Sequence, residues 1–178
     1  MPLTDQELRA IDQYISDWWT AVRTRAEFPA PPVPLLQRAA LHHPSGKIQK
    51  FALNILDHEA NDASAETFRQ ALSDPTPSVR REALHGLACE RCRTGELCTD
   101  DVVPALIEVL EHDENTNVRH YSLFPLVTLA ARDPRVQQAF ARAAANDPDE
   151  LIRYAAAAAR DGNYRDVKSR KALRRAGR

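Results

Sequence analysis

Four side chains within fourteen residues could hold a metal ion. His85, Cys89, Cys92 and Cys98 give the spacing His-x3-Cys-x2-Cys-x5-Cys, and three thiolates with one imidazole make a tetrahedral donor set that suits a structural zinc. On a helix opened by Val79, 100° per residue sets His85, Cys89 and Cys92 at roughly 240°, 280° and 220° from that residue, one narrow face. Val79, Ala83 and Leu87 fall at roughly 0°, 40° and 80°, so the donors lie opposite the apolar stripe and burial alone does not explain them. Residues 93–97 can fold back and bring Cys98 toward the helix end. Other readings stay open. A cysteine is often an inert small hydrophobe, and zinc ligands usually come as two Cys-x2-Cys pairs where this chain has one. A redox pair of the thioredoxin type needs a βαβ setting that the sequence lacks.

The elements that must position these groups are helices. The chain has 178 residues with 5 Gly and 12 Pro, Ala is abundant, and no stretch alternates apolar and polar residues with β-branched enrichment. Helices joined by Pro-marked turns fit this pattern, and the length suffices for one domain burying roughly two-thirds of its unfolded surface. Three Cys confined to ten residues do not form the framework of a disulfide-stapled secreted domain. The first twelve residues lack a basic start followed by an apolar run, and nowhere do eighteen apolar residues follow one another. The expectation is a cytoplasmic protein with no membrane partner.

A repeat organises the middle of the chain. Asp74 is followed five residues later by Val79 and then Arg80; Asp113 by Val118 and Arg119; Asp147 by Ile152 and Arg153. A weaker copy, residues 43–49, keeps Pro44 and Ile48 but has neither the Asp nor the Arg. Behind each aliphatic anchor runs an apolar stripe at helical spacing: Ala52, Leu53 and Leu56; Ala83, Leu84 and Leu87; Ser122, Leu123 and Leu126; Ala155, Ala156 and Ala159. Ahead of each anchor lies a shorter amphipathic segment, 33–41, 63–72, 102–110 and 136–145. Each pair predicts a helical hairpin. The turn Asp can accept hydrogen bonds from backbone N–H groups opening the second helix, and the Arg can reach the Asp of a neighbouring repeat. Asp74, Arg80, Asp113, Arg119, Asp147 and Arg153 are therefore structural.

These turn Asp, aliphatic and Arg residues resemble the signature of HEAT repeats. Anchor spacings of 31, 39 and 34 residues are similar to the short HEAT-like type of phycobilisome lyase subunits and many bacterial proteins. The resemblance covers about residues 33–162. It implies an all-α, right-handed α-solenoid of about four HEAT-like hairpins (31–60, 61–97, 98–132 and 133–162). An N-terminal capping helix and Pro-rich link would occupy residues 1–30, and a basic helix or tail residues 163–178. In such a stack the second helices line a concave face. Lys50, Arg81, His120 and Tyr154 stand two residues after the anchors, and Asn54 and Phe124 six residues after.

Residues 4–25 predict the capping helix: Thr4 with Glu7 is a capping-box pair, and Ile11, Ile15, Trp18 and Val22 form one stripe with Trp19 beside it. The two Trp serve either as a cover for the open end of the stack or as a binding surface. Net charge is −1, which gives no global reason for a polyanionic partner. From Asp161 to Arg178 seven Lys or Arg face two Asp, an excess of five that leaves −6 for the rest. Nucleic acid could touch this tail, but the face itself is interrupted by Asn54, Phe124 and Ala158. There is no Gly-rich phosphate loop, no Ser-His-Asp order with supporting motifs, no His-Glu-x2-His helix and no pair of carboxylates in a catalytic setting. The reading is a non-enzymatic scaffold binding a protein on its concave face, with zinc as the one candidate cofactor. The alternative implied by the resemblance is a phycobilin-lyase-like chaperone or a nucleic-acid-binding enzyme with a HEAT-like groove.

Overall fold

A computed structural model describes residues 2–58, 62–88, 102–131 and 133–164, and among them the chain forms nine α-helices and no strand. The first, α1 (Asp5–Thr24), begins at the expected capping box. The Thr4 hydroxyl accepts from the Glu7 N–H, and the Glu7 carboxylate accepts from the Thr4 N–H at 2.9 Å. Four pairs follow: α2 (Val33–His42) with α3 (Gly46–His58), α4 (Asp62–Ala71) with α5 (Pro77–Ala88), α6 (Val102–His112) with α7 (Thr116–Leu129), and α8 (Pro134–Asn146) with α9 (Glu150–Arg160). Proline works at the helix starts, where its missing N–H costs nothing: Pro34 opens α2 and Pro134 opens α8.

The chain divides into two compact units, residues 1–98 and 99–178. In the first, α3 packs on α5 and α2 on α4, second helix to second and first to first, while α1 packs on both α2 and α3. In the second, α6 packs on α8 and α7 on α9 in the same manner. Each stripe expected behind an anchor is buried: Ala52, Leu53 and Leu56, then Ala83, Leu84 and Leu87, in the first unit; Ser122, Leu123 and Leu126, then Ala155, Ala156 and Ala159, in the second. Gly86 is needed on α5 because a Cβ there would stand 2.2 Å from the buried Phe68 ring of α4. Gly162 closes α9 at φ 79°, with the Gly162 N–H donating to Ala159 O and the Asn163 N–H to Ala158 O, the two bonds of a Schellman motif.

The stripe expected on α1 is turned from its predicted position. Ile11 and Ile15 are buried, but Val22 is 49% exposed, and Trp19 rather than Val22 reaches α3, meeting Phe51 edge to face. Ala21, outside the sequence stripe, is buried as well. Arg38 of α2 holds Glu7 through both carboxylate oxygens. That guanidinium, with the Thr4 backbone and hydroxyl, pulls the Glu7 carboxyl from its ordinary 4.5 to about 2. At the other end Tyr164, assigned by sequence to the tail, is buried, and burial pushes its phenol up to about 12. The rest of the expected tail, 165–178, lies outside the described residues.

Candidate functional site

In the last three hairpins the turn between the helices is built by its Asp, and in the first the Ser45 N–H donates to His43 Nδ1 instead. The Asp74 carboxylate accepts from the Thr76 N–H at 2.7 Å, Asp113 from Asn115 at 2.8 Å and Asp147 from Asp149 at 2.8 Å. These N–H groups lie before the second helices rather than inside them. The caps of α7 and α9 are Asn115 and Asp149, which accept from Asn117 and Leu151. The Arg after each anchor returns to the same turn: Arg80 donates to Asp74 O, Arg119 to Asp113 O and Arg153 to Asp147 O. In the second unit Arg119 also grips the Asp147 carboxylate with two bonds, 2.8 and 3.0 Å, both side chains being buried. In the first unit Gln49 occupies the Arg position of the weak copy, and its amide donates to the Asp74 carboxylate at 2.8 Å. The sequence showed the loss of the Arg in this copy but not that Gln49 takes over its bond to the neighbouring Asp.

The positions read as a binding face divide by unit. In the first, Arg81 on α5 is exposed, while Lys50 and Asn54 on α3 are half-buried. The Asn54 amide donates to Glu82 at 3.0 Å and so ties α3 to α5. Lys50 Nζ lies 6.0 Å from the Phe51 ring centre. In the second unit, Phe124 on α7 is 51% exposed and Tyr154 on α9 is 41% exposed, with His120 half-buried on α7. The inward stripes on α7 and α9 force this: Phe124 is displaced roughly 240° from Val118 and Tyr154 roughly 200° from Ile152. Pro125 is buried inside α7 and withdraws one N–H from its ladder.

Of the proposed metal ligands, His85 sits half-buried on α5, while Cys89, Cys92 and Cys98 lie outside the described residues. His85 Nε2 stands 3.4 Å from Asp57 Oδ2, and the Asp57 side chain is 1% exposed. The contact is at ion-pair distance without hydrogen-bond alignment; neither carboxylate oxygen has a hydrogen-bond partner among the described residues. Asp57 escaped the sequence reading, although a charge directly after Ile55 and Leu56 of the buried α3 stripe was a signal. Among the described residues no group of three His, Cys, Asp or Glu could hold a metal, and no helix is long and apolar enough to cross a membrane.

A family model described as HEAT repeats matches residues 32–123, more than half of the chain. No curated protein and no solved structure matches.

Proposed function

Because the chain belongs to the HEAT-repeat family, we propose that it is a non-enzymatic scaffold that binds a protein through the outward positions of its second helices. Lys50, Asn54 and Arg81 would contribute in the first unit, and His120, Phe124 and Tyr154 in the second. The observation that carries the reading is the exposure of Phe124 and Tyr154. Two large aromatics on neighbouring helices stay out of a core that has buried its Leu and Ala, and aromatic and Arg side chains are the residue types that anchor protein interfaces. The test is capture from a lysate of the source cells on the native chain and on an Arg81→Glu/Phe124→Ala/Tyr154→Ala variant. A protein lost with the variant supports the reading. Retention by both, or capture of nucleic acid whose yield falls steeply with salt, overturns it.

A second reading concerns the thiols. We propose that His85, Cys89, Cys92 and Cys98 hold a structural zinc and that Asp57 is the positioning residue of His85. A histidine ligand usually turns its second nitrogen to a carboxylate, which fixes the ring and raises its basicity. Supporting this reading, Asp57 Oδ2 stands 3.4 Å from Nε2, within reach of such a bond on a small turn of the ring, and the metal would then sit on Nδ1. Protein purified without added zinc should carry one equivalent, lost in Cys89→Ser and held about 10- to 100-fold more weakly in Asp57→Asn. Native protein without stoichiometric metal would falsify the site.

A further inference from the structure

Between α1 and α3 of the first unit lies a groove of about 530 Å³, within the range of small-molecule sites. Ile15, Trp19 and Arg23, four residues apart along α1, form one wall, and Lys47, Ile48 and Phe51 of α3 form the other. A helix that merely covers the end of a repeat stack needs apolar bulk, and this groove has more than that. The anchor position is buried in the other repeats at Val79, Val118 and Ile152, whereas Ile48 is half-exposed here.

Its cations also have no carboxylate partner among the described residues. Arg23 and Lys47 line the groove, and Lys50 stands next to it; Lys47 Nζ lies 5.8 Å from the Phe51 ring centre. None of the three cations enters an ion pair among the described residues. The Trp19 indole nitrogen is shielded from solvent and has no hydrogen-bond partner among the described residues, so what Trp19 offers the groove is its ring rather than its N–H. Asp12, the one carboxylate in the lining, stands beside His43 Nε2 at 3.4 Å. It lies roughly 16 Å along α1 from Arg23 at 1.5 Å per residue.

We propose that this groove binds a small organic anion with a flat apolar body, an aromatic carboxylate or sulfonate. The ring lies against Trp19 and Phe51, and the anionic group sits on Arg23 and Lys47. The charge complementarity selects an anion, and a lining drawn from only two helices sets the size of a small molecule. The proposal does not rest on the protein-binding reading, although Lys50 of that surface stands at the edge of the groove.

The probe is 1-anilinonaphthalene-8-sulfonate, with N-phenyl-1-naphthylamine as its uncharged counterpart, titrated into the full chain. Both Trp residues, Trp18 and Trp19, are on α1, so energy transfer from Trp emission is strongest for probe bound near this helix, and the substitutions below locate it. The sulfonate should bind saturably at one equivalent and more tightly than the neutral amine. Arg23→Gln/Lys47→Gln should weaken it about tenfold or more, with amine binding and the unfolding midpoint unchanged. Trp19→Phe, which keeps a ring and removes the N–H, should weaken it less. Sulfonate binding that is unsaturable, no stronger than that of the amine, or indifferent to the double substitution overturns the proposal. Displacement by an acidic aromatic peptide but not by 1-naphthoate would place a protein segment in the groove and overturn it equally.

Discussion

Glu7 shows how one side chain can serve two contacts. It closes the capping box of α1 and ties that helix to Arg38 of α2, and only the first role was readable from sequence, because a box has a fixed spacing and a tertiary partner 31 residues away does not. Its carboxyl lies at about 2 in the folded chain against an ordinary 4.5. A depressed carboxylate contributes stability that is complete above about 4.5 and disappears as pH falls toward about 2. The thermal midpoint of the native chain should therefore fall across that window, and Glu7→Gln should lack this component, its deficit at neutral pH closing at the acid end. A deficit of constant size down to the lowest pH would contradict the assignment. The exposure of Val22 was not readable for a related reason. The sequence supplies a residue's own periodicity, whereas the depth at which a helix face is buried depends on the angle at which its neighbour arrives.

The helices themselves were readable because three levels of sequence agree: the turn Asp, the anchor and the stripe behind it repeat in register, and each stripe is buried. The joint between hairpins was readable as residue types but not as geometry. The Asp sits ahead of the cap rather than on it, and its charge has a buried guanidinium partner in the second unit but a neutral amide in the first. The two joints should differ in strength. Asp147→Asn keeps the acceptor for the Asp149 N–H but leaves Arg119 buried without its counter-charge, a loss of about 3–5 kcal/mol. Gln49→Ala removes one neutral hydrogen bond to Asp74, worth about 1 kcal/mol. Urea unfolding of the two variants measures the difference, and equal losses would contradict the distinction drawn between the joints.

Across the molecule, repetition explains the fold and also why function is hard to read from it. Stacked hairpins place first helices on first and second on second within each unit, so each repeat adds surface of the same orientation, whatever that surface binds. The family assignment thus follows from the spacing of a few turn and anchor residues, while the partner depends on outward positions that the core does not constrain. Phe124 and Tyr154 are the most telling of these, because folding alone gives no reason for large aromatics to remain in water. The most direct measurement is site-specific photocrosslinking in source-cell lysate. A benzophenone side chain is introduced by Phe124→p-benzoylphenylalanine or, as control, by Gln138→p-benzoylphenylalanine on α8, another exposed position. A binding surface on the second helices predicts a discrete protein adduct from position 124 that is absent from position 138 and is lost when Tyr154→Ala is added. Adducts of the same pattern from both positions, or none from position 124, would contradict it.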